Sequence, residues 1–131
     1  MTPIVLDASG GVELALQTPI GRRLQAKIPA GATSWVPEHY YVEAVAVLRR
    51  DELNQRYDPA RVQAALDRLL SAPARRVSVK RLMTEAWILR HSLTVADALY
   101  VVVAQHLSAP LVTTDLRLAN APTLPVTTIT P

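Results

Sequence analysis

The sequence predicts an α/β fold with a parallel sheet covered by helices on both faces. Two observations carry this. Segments of helical period alternate with short strand-like segments along the chain. The strand-like segments are continuous apolar runs, such as Ile4-Val5-Leu6, rather than alternations of apolar and polar residues. A strand buried on both faces reads that way. A chain of 131 residues suits a single domain, 1–131, built around one core.

Taken in order, residues 2–6 read as a buried strand. Residues 9–17 read as a helix with Val12, Leu14, Ala15 and Leu16 apolar. Pro19 breaks it, a second short helix covers 21–28, and Gly31 marks its end. Residues 33–36 form the next strand, and Pro37 suits the first turn of a helix that runs to about Leu53. Asp58 caps another helix with Pro59 at its first position. Val62, Ala65, Leu66, Leu69 and Leu70 give it one apolar face, and Pro73 ends it. Residues 76–79 are a short strand. Leu82, Ala86 and Leu89 share a face of the helix that follows, which ends near His91. The segment 94–107 is helical and apolar nearly all round, so it should be buried on most sides. Residues 110–114 are a strand, followed by a short helical turn. A final strand covers 126–129, within a Pro- and Thr-rich tail, 122–131, expected to lie partly at the sheet edge.

Composition narrows the function. Half of the residues are hydrophobic, yet no apolar run is long enough to span a membrane. Met1 leads straight into a strand, without the basic and apolar regions of a signal peptide, and a cytoplasmic protein is expected. The absence of cysteine excludes disulfides, thiolate zinc sites and cysteine nucleophiles. The net charge is +3, and Lys27 and Lys80 are the only lysines, so the basic residues are nearly all arginine. Arginine forks suit phosphate contacts, but an arginine- and alanine-rich background is the simpler account of the charge taken alone.

Four acids stand where apolar residues are expected. Asp7 ends Ile4-Val5-Leu6, Glu43 interrupts the helical run 40–48, Asp97 opens the buried helix, and Asp115 follows Leu111-Val112-Thr113-Thr114. Buried charge is costly unless paired or bound to a metal. No basic residue lies at an obvious pairing distance in sequence. Each acid has a plainer reading. Asp7 and Asp115 suit helix N-caps. Thr94 and Asp97 suit a capping box. Glu43 suits a solvated helix face, with His39 its only candidate partner. Taken together they point to one shared cation, because clustered carboxylates repel. An all-oxygen, cysteine-free set suits Mg²⁺ or Mn²⁺ rather than zinc. Such a site can activate water and brace an in-line attack on phosphorus. His39, His91 and His106 lack metal-ligand spacing and read as surface or helix-end residues.

The segments Ile4-Val5-Leu6-Asp7-Ala8-Ser9, Val36-Pro37-Glu38-His39-Tyr40-Tyr41-Val42-Glu43-Ala44, Leu93-Thr94-Val95-Ala96-Asp97-Ala98-Leu99-Tyr100 and Pro110-Leu111-Val112-Thr113-Thr114-Asp115 resemble, in order and spacing, the successive motifs of PIN domains, most closely the VapC-type toxin ribonucleases. The resemblance spans nearly the whole chain. It implies a three-layer α/β/α fold with a short parallel sheet. It implies Mg²⁺- or Mn²⁺-dependent endonucleolytic cleavage of RNA, with Asp7, Asp97 and Asp115 as metal-binding aspartates. Glu43 matches the family's glutamate, and Ser9 and Thr113 match hydroxyls that line the pocket. It implies a VapB-type antitoxin whose C-terminal segment covers the site, with a basic side chain in the metal's place, and it suggests a homodimer. One departure is Gly10-Gly11, where bulkier residues are usual, which is expected to loosen the first helix.

Other classes fit less well. A receiver domain needs an acidic pair at the first strand and a suitably placed lysine. A haloacid-dehalogenase-type phosphatase needs Asp-x-Asp, but Ser9 stands at the second position. Gly10-Gly11 is not followed by a P-loop lysine. Two alternatives stay open: an RNA-processing nuclease without an antitoxin, and a catalytically silent protein-binding module.

Overall fold

The computed structural model describes residues 2–131. Five strands, β1 (Pro3–Leu6), β2 (Thr33–Pro37), β3 (Arg75–Val77), β4 (Leu111–Val112) and β5 (Thr128–Ile129), form one sheet in the order β3-β2-β1-β4-β5. Every pairing is parallel, with Val5 of the central strand opposite Trp35 on one side and Leu111 on the other. The chain winds outward from β1 in one direction through β2 and β3, then crosses back to add β4 and β5. The reversal falls between β1 and β4, and a crevice opens at such a point beyond the carboxyl ends of the strands.

Among the described residues seven helices pack with this sheet: α1 (Ala8–Leu16), α2 (Pro19–Lys27), α3 (Tyr40–Leu53), α4 (Pro59–Ser71), α5 (Met83–Ile88), α6 (Val95–Leu107) and α7 (Leu116–Ala119). Alternate side chains of β1 point to opposite faces of the sheet. Ile4 packs with Val112 and with Leu24 of α2, while Val5 and Leu111 join the larger core containing α6. The sheet is therefore covered on both faces, as a three-layer α/β/α arrangement requires. Helix α6 is buried continuously from Ala98 to Ala104, which explains its apolar character all round. On α3 the buried positions Tyr40, Ala44, Leu48 and Asp51 form one stripe at helical spacing.

Boundaries differ from the sequence reading where proline was misjudged. Pro19 opens α2 rather than merely ending α1, because Thr18 caps the helix by accepting from the Gly21 N–H. A proline at this first position loses no intrahelical bond. Pro37 ends β2 instead of starting a helix. The next residue extends the pairing, with Glu38 N–H donating to Val77, and α3 begins at Tyr40. The strand expected at 76–79 is β3, and a 3-10 turn at Lys80–Leu82 precedes α5. The last strand is confined to Thr128–Ile129.

Gly10 and Gly11 serve close packing rather than looseness. A Cβ at Gly11 would lie 2.0 Å from the Tyr40 hydroxyl, so α1 and α3 meet only because that Cβ is missing. A Cβ at Gly10 would stand 3.0 Å from the carbonyl of Val112, holding α1 away from β4.

Candidate active site

Asp7 stands where β1 hands over to α1, beside the crevice between β1 and β4. Its backbone continues the sheet, with its N–H donating to Val112. Its side chain is 4% exposed. One carboxylate oxygen, Oδ1, accepts from the Gly10 N–H at 2.8 Å and from Ser9 Oγ at 2.7 Å. The other, Oδ2, accepts from Thr113 Oγ1 at 2.5 Å. Burial raises the Asp7 pKa above its ordinary value. The bonds from Thr113, Gly10 and Ser9 oppose that rise, and the charge of Asp97 adds to it.

The two hydroxyls are oriented by the strand opposite. Thr113 Oγ1 accepts from the Asp115 N–H, and Ser9 Oγ accepts from the Thr114 N–H. A hydroxyl carries one proton. Both protons are directed at Asp7, so the 3.3 Å approach of Ser9 Oγ to Thr113 Oγ1 is a contact between two acceptors. These bonds tie residues 7–10 to 113–115 across the switch point.

Asp97 and Asp115 meet through a cation. Asp97 is the third residue of α6, and its N–H donates to Thr94 Oγ1, the forward half of a capping box. Asp115 caps α7: its Oδ1 accepts from the N–H groups of Arg117 and Leu118. The remaining Oδ2 atoms of Asp97 and Asp115 lie 3.2 and 3.3 Å from Arg117 Nη2. One guanidinium nitrogen thus bridges the pair. The expectation that no basic residue pairs with the acids is corrected here. Arg117 lies two positions after Asp115 but twenty after Asp97, and only the fold shows that it reaches both.

Glu43 is held from α6. Tyr100 donates its hydroxyl to Glu43 Oε1 at 2.6 Å. Burial, this bond and the charges of Glu43 and Asp7 push the Tyr100 hydroxyl far above the ordinary phenol value, so it keeps the proton it donates to Glu43. His39 also approaches Glu43, at 3.6 Å, as its spacing suggested. His39 Nε2 donates to the Ala96 carbonyl at 3.1 Å, its ring packs 4.7 Å from that of Tyr100, and its Nδ1 is buried without a partner. A histidine read as a helix-end residue is therefore also a wall of this site. Tyr100 and Arg117 were missed. Tyr100 lies three residues after Asp97 on the same helix, a spacing that places side chains on one face and was the available signal. The fold also buries a further acid, Asp51, whose nearest cation is Arg56 at 3.5 Å.

Could these residues hold a divalent ion? The available donors are all carboxylate oxygens, and a cationic group already bridges two of them. That chemistry fits a hard cation. Among the described residues, no three acidic or histidine side chains are drawn tightly enough together to form a ready-made cage. Arg117 links Asp97 to Asp115, and Thr113 links Asp7 to the Asp115 backbone. A larger cleft, about 580 Å³, lies elsewhere, between α1, α4 and the segment 28–32, with Ile4, Leu14, Tyr40 and Leu69 among its walls and none of the four acids.

The PIN-domain family pattern matches residues 4–124. This chain belongs to the PIN-domain family. It is 38% identical to Ribonuclease VapC12 of Mycobacterium tuberculosis over 118 residues, covering 90% of this chain and 91% of that protein. Ribonuclease VapC3 of the same species is 34% identical over 118 residues, covering 90% and 86%. These matches place this PIN domain in the VapC group. Among solved structures, PAE2754 from Pyrobaculum aerophilum superposes with a TM-score of 0.68 at 22% identity, covering 98% of this chain and 84% of that one. VapC20 of Mycobacterium tuberculosis, described as a toxin that cleaves the sarcin–ricin loop, superposes with a TM-score of 0.59 at 22% identity, covering 90% and 95%. A toxin–antitoxin complex from Klebsiella pneumoniae contains a chain that superposes with a TM-score of 0.54 at 14% identity, covering 91% and 92%. The three likenesses establish the fold.

Proposed function

We propose that this protein is a Mg²⁺- or Mn²⁺-dependent endoribonuclease and the toxin of a type II toxin–antitoxin pair, acting as one domain in the cytoplasm. The observation that carries this reading is that Asp97 and Asp115 share one cationic group at the switch point of a PIN fold, with Asp7 near enough to feel the charge of Asp97. The VapC ribonucleases it resembles supply the substrate class. Asp7, Asp97 and Asp115 would hold the metal, with Glu43 beside them. When bound, the ion would supply positive charge to activate water and to stabilise charge developing at phosphorus. Ser9 and Thr113 fix both oxygens of Asp7. Tyr100 fixes Glu43, and its raised pKa keeps it from becoming a competing anion.

The same reading proposes a VapB-type antitoxin as partner. The cleft near α1 and α4 offers apolar walls for a partner segment, and the acids, which lie outside that cleft, would offer a separate anionic contact for a basic side chain. A homodimer is proposed as well. Trp87, Met83 and Val95 are exposed large apolar residues around one shallow cleft, a surface of the kind that subunits bury.

The test is cleavage of RNA by purified protein with Mg²⁺, with Mn²⁺ and with a chelator, alongside thermal melts. The ion should stabilise wild type by linkage and stabilise Asp97→Asn less. Equal shifts in both proteins, with no metal-dependent cleavage, would reject the metal site and favour a silent binding module.

A further inference from the structure

Arg117 is an unusual neighbour for a metal site. Its Nη2 is shared between Asp97 Oδ2 and Asp115 Oδ2, where a divalent ion would have to bind. Its side chain is 66% exposed, against 20% for Asp97 and 33% for Asp115. It sits on α7, a helix of four residues, and its remaining guanidinium donors have no partner among the described residues. The bridge is therefore built from exposed ion pairs, which are individually weak and readily broken.

We propose that Arg117 is a counter-ion that changes partner: it neutralises Asp97 and Asp115 without metal, yields them to the divalent ion, and then pairs with an RNA phosphate. The inference rests on the nuclease reading of the same site. Three physical steps support it. Two carboxylates drawn together need positive charge, and without metal Arg117 is the cation that meets both. A divalent ion at the same oxygens carries more charge on a smaller body, so it displaces an exposed guanidinium and repels it. The released side chain is long, charged and anchored beside the acids, with the planar donor set that matches a phosphate. Arg117 thus couples metal arrival to substrate recruitment.

Two measurements on Arg117→Gln and Arg117→Lys test the exchange. Calorimetry with Mn²⁺ and no RNA reads the competition. Removing the bridging charge should tighten Mn²⁺ binding by about threefold to tenfold, the scale of one or two exposed ion pairs. Anisotropy of a fluorescent single-stranded oligoribonucleotide, with and without Mn²⁺ and read before appreciable cleavage, reports the second partner. The gain in RNA affinity that Mn²⁺ confers should shrink in Arg117→Gln by a similar factor. Arg117→Lys keeps the charge but not the planar donor set, so it should track wild type in Mn²⁺ binding and fall between wild type and Arg117→Gln in the Mn²⁺-dependent gain in RNA affinity. The two effects run in opposite directions, which loss of fold cannot produce. Unchanged or weaker Mn²⁺ binding in Arg117→Gln, or an unchanged Mn²⁺-dependent gain in RNA affinity, overturns the exchange while leaving the metal site standing. Wild-type Mn²⁺ affinity in Asp97→Asn instead overturns the site itself, and the exchange with it.

Discussion

The Tyr100 hydroxyl donates to Glu43 Oε1 at 2.6 Å, joining α6 to α3 through one short bond. The residues are 57 positions apart in sequence. Tyr100 is 1% exposed, so its donor must be satisfied inside the protein. Removing that donor leaves Glu43 with the 3.6 Å approach of His39.

Tyr100→Phe should therefore lower stability by about 1.5–3 kcal/mol, the range for a hydrogen bond to a charged group. Urea unfolding of Tyr100→Phe, Glu43→Gln and the double variant measures the pairing directly. The two single losses should exceed what adds in the double variant. Simple additivity would mean that the bond contributes nothing to the fold.

Asp7 makes a pH-dependent contribution whose sign follows from its environment. Burial raises its pKa above the ordinary value near 3.8. As pH rises, the unfolded chain loses this proton first and the folded protein later. The folded state binds the extra proton in that window, so stability falls with rising pH and levels off above the folded pKa. Below the unfolded value the group costs nothing. Without metal, Asp7→Asn should be more stable than wild type at neutral pH and no more stable in acid. It should also lose RNA cleavage. Thermal melts of both proteins across pH, in chelator, would show the difference opening upward. A gap that widens toward acid would contradict the burial argument.

Gly11→Ala should destabilise the protein by about 1–3 kcal/mol, as overpacking does. The added carbon would stand 2.0 Å from the Tyr40 hydroxyl and 2.7 Å from its Cζ. Tyr40→Phe removes the nearer atom only, so it should relieve the defect in part. Denaturant midpoints of the four proteins of this cycle decide the matter. A neutral Gly11→Ala would show that the two helices can move apart.

The fold and the outline of the site are legible in the sequence for the same reason. Asp7 and Asp115 follow apolar strands, and Asp97 opens a helix with no polar face, so each interrupts a pattern that the core imposes. The plain reading of these acids holds too: Asp7 and Asp115 both cap helices. Capping and clustering are compatible because the strand ends that feed the helices all face one crevice. What stays hidden is contact between distant segments. The reach of Arg117 to Asp97 depends on where α7 leaves β4, and the Tyr100 bond depends on how α6 lies against α3. Gly10-Gly11 reads as looseness because its packing partners, Tyr40 and Val112, lie far along the chain. Pro37 misleads because first-turn proline and strand-end proline share the same φ.

Thr113→Val tests the hydroxyl network at constant shape. Thr113 is fully buried and serves two groups at once, donating to Asp7 Oδ2 and accepting from the Asp115 N–H. Valine fills the same space but does neither. The cost of leaving buried polar partners unsatisfied is about 1–3 kcal/mol. That cost should depend on pH. When Asp7 is protonated it can direct its own proton elsewhere and needs fewer donors. When it is ionised, only Ser9 and the Gly10 N–H remain to stabilise the charge. The difference between wild type and Thr113→Val should therefore be larger at pH 7 than at pH 4. Thr113→Ser, which keeps the hydroxyl, should lose only packing and show no such pH dependence. Urea unfolding of the three proteins at both pH values supplies the comparison. A Thr113→Val defect that is constant with pH would mean that the hydroxyl supports the Asp115 N–H and the strand end, with Asp7 held by its other two donors alone.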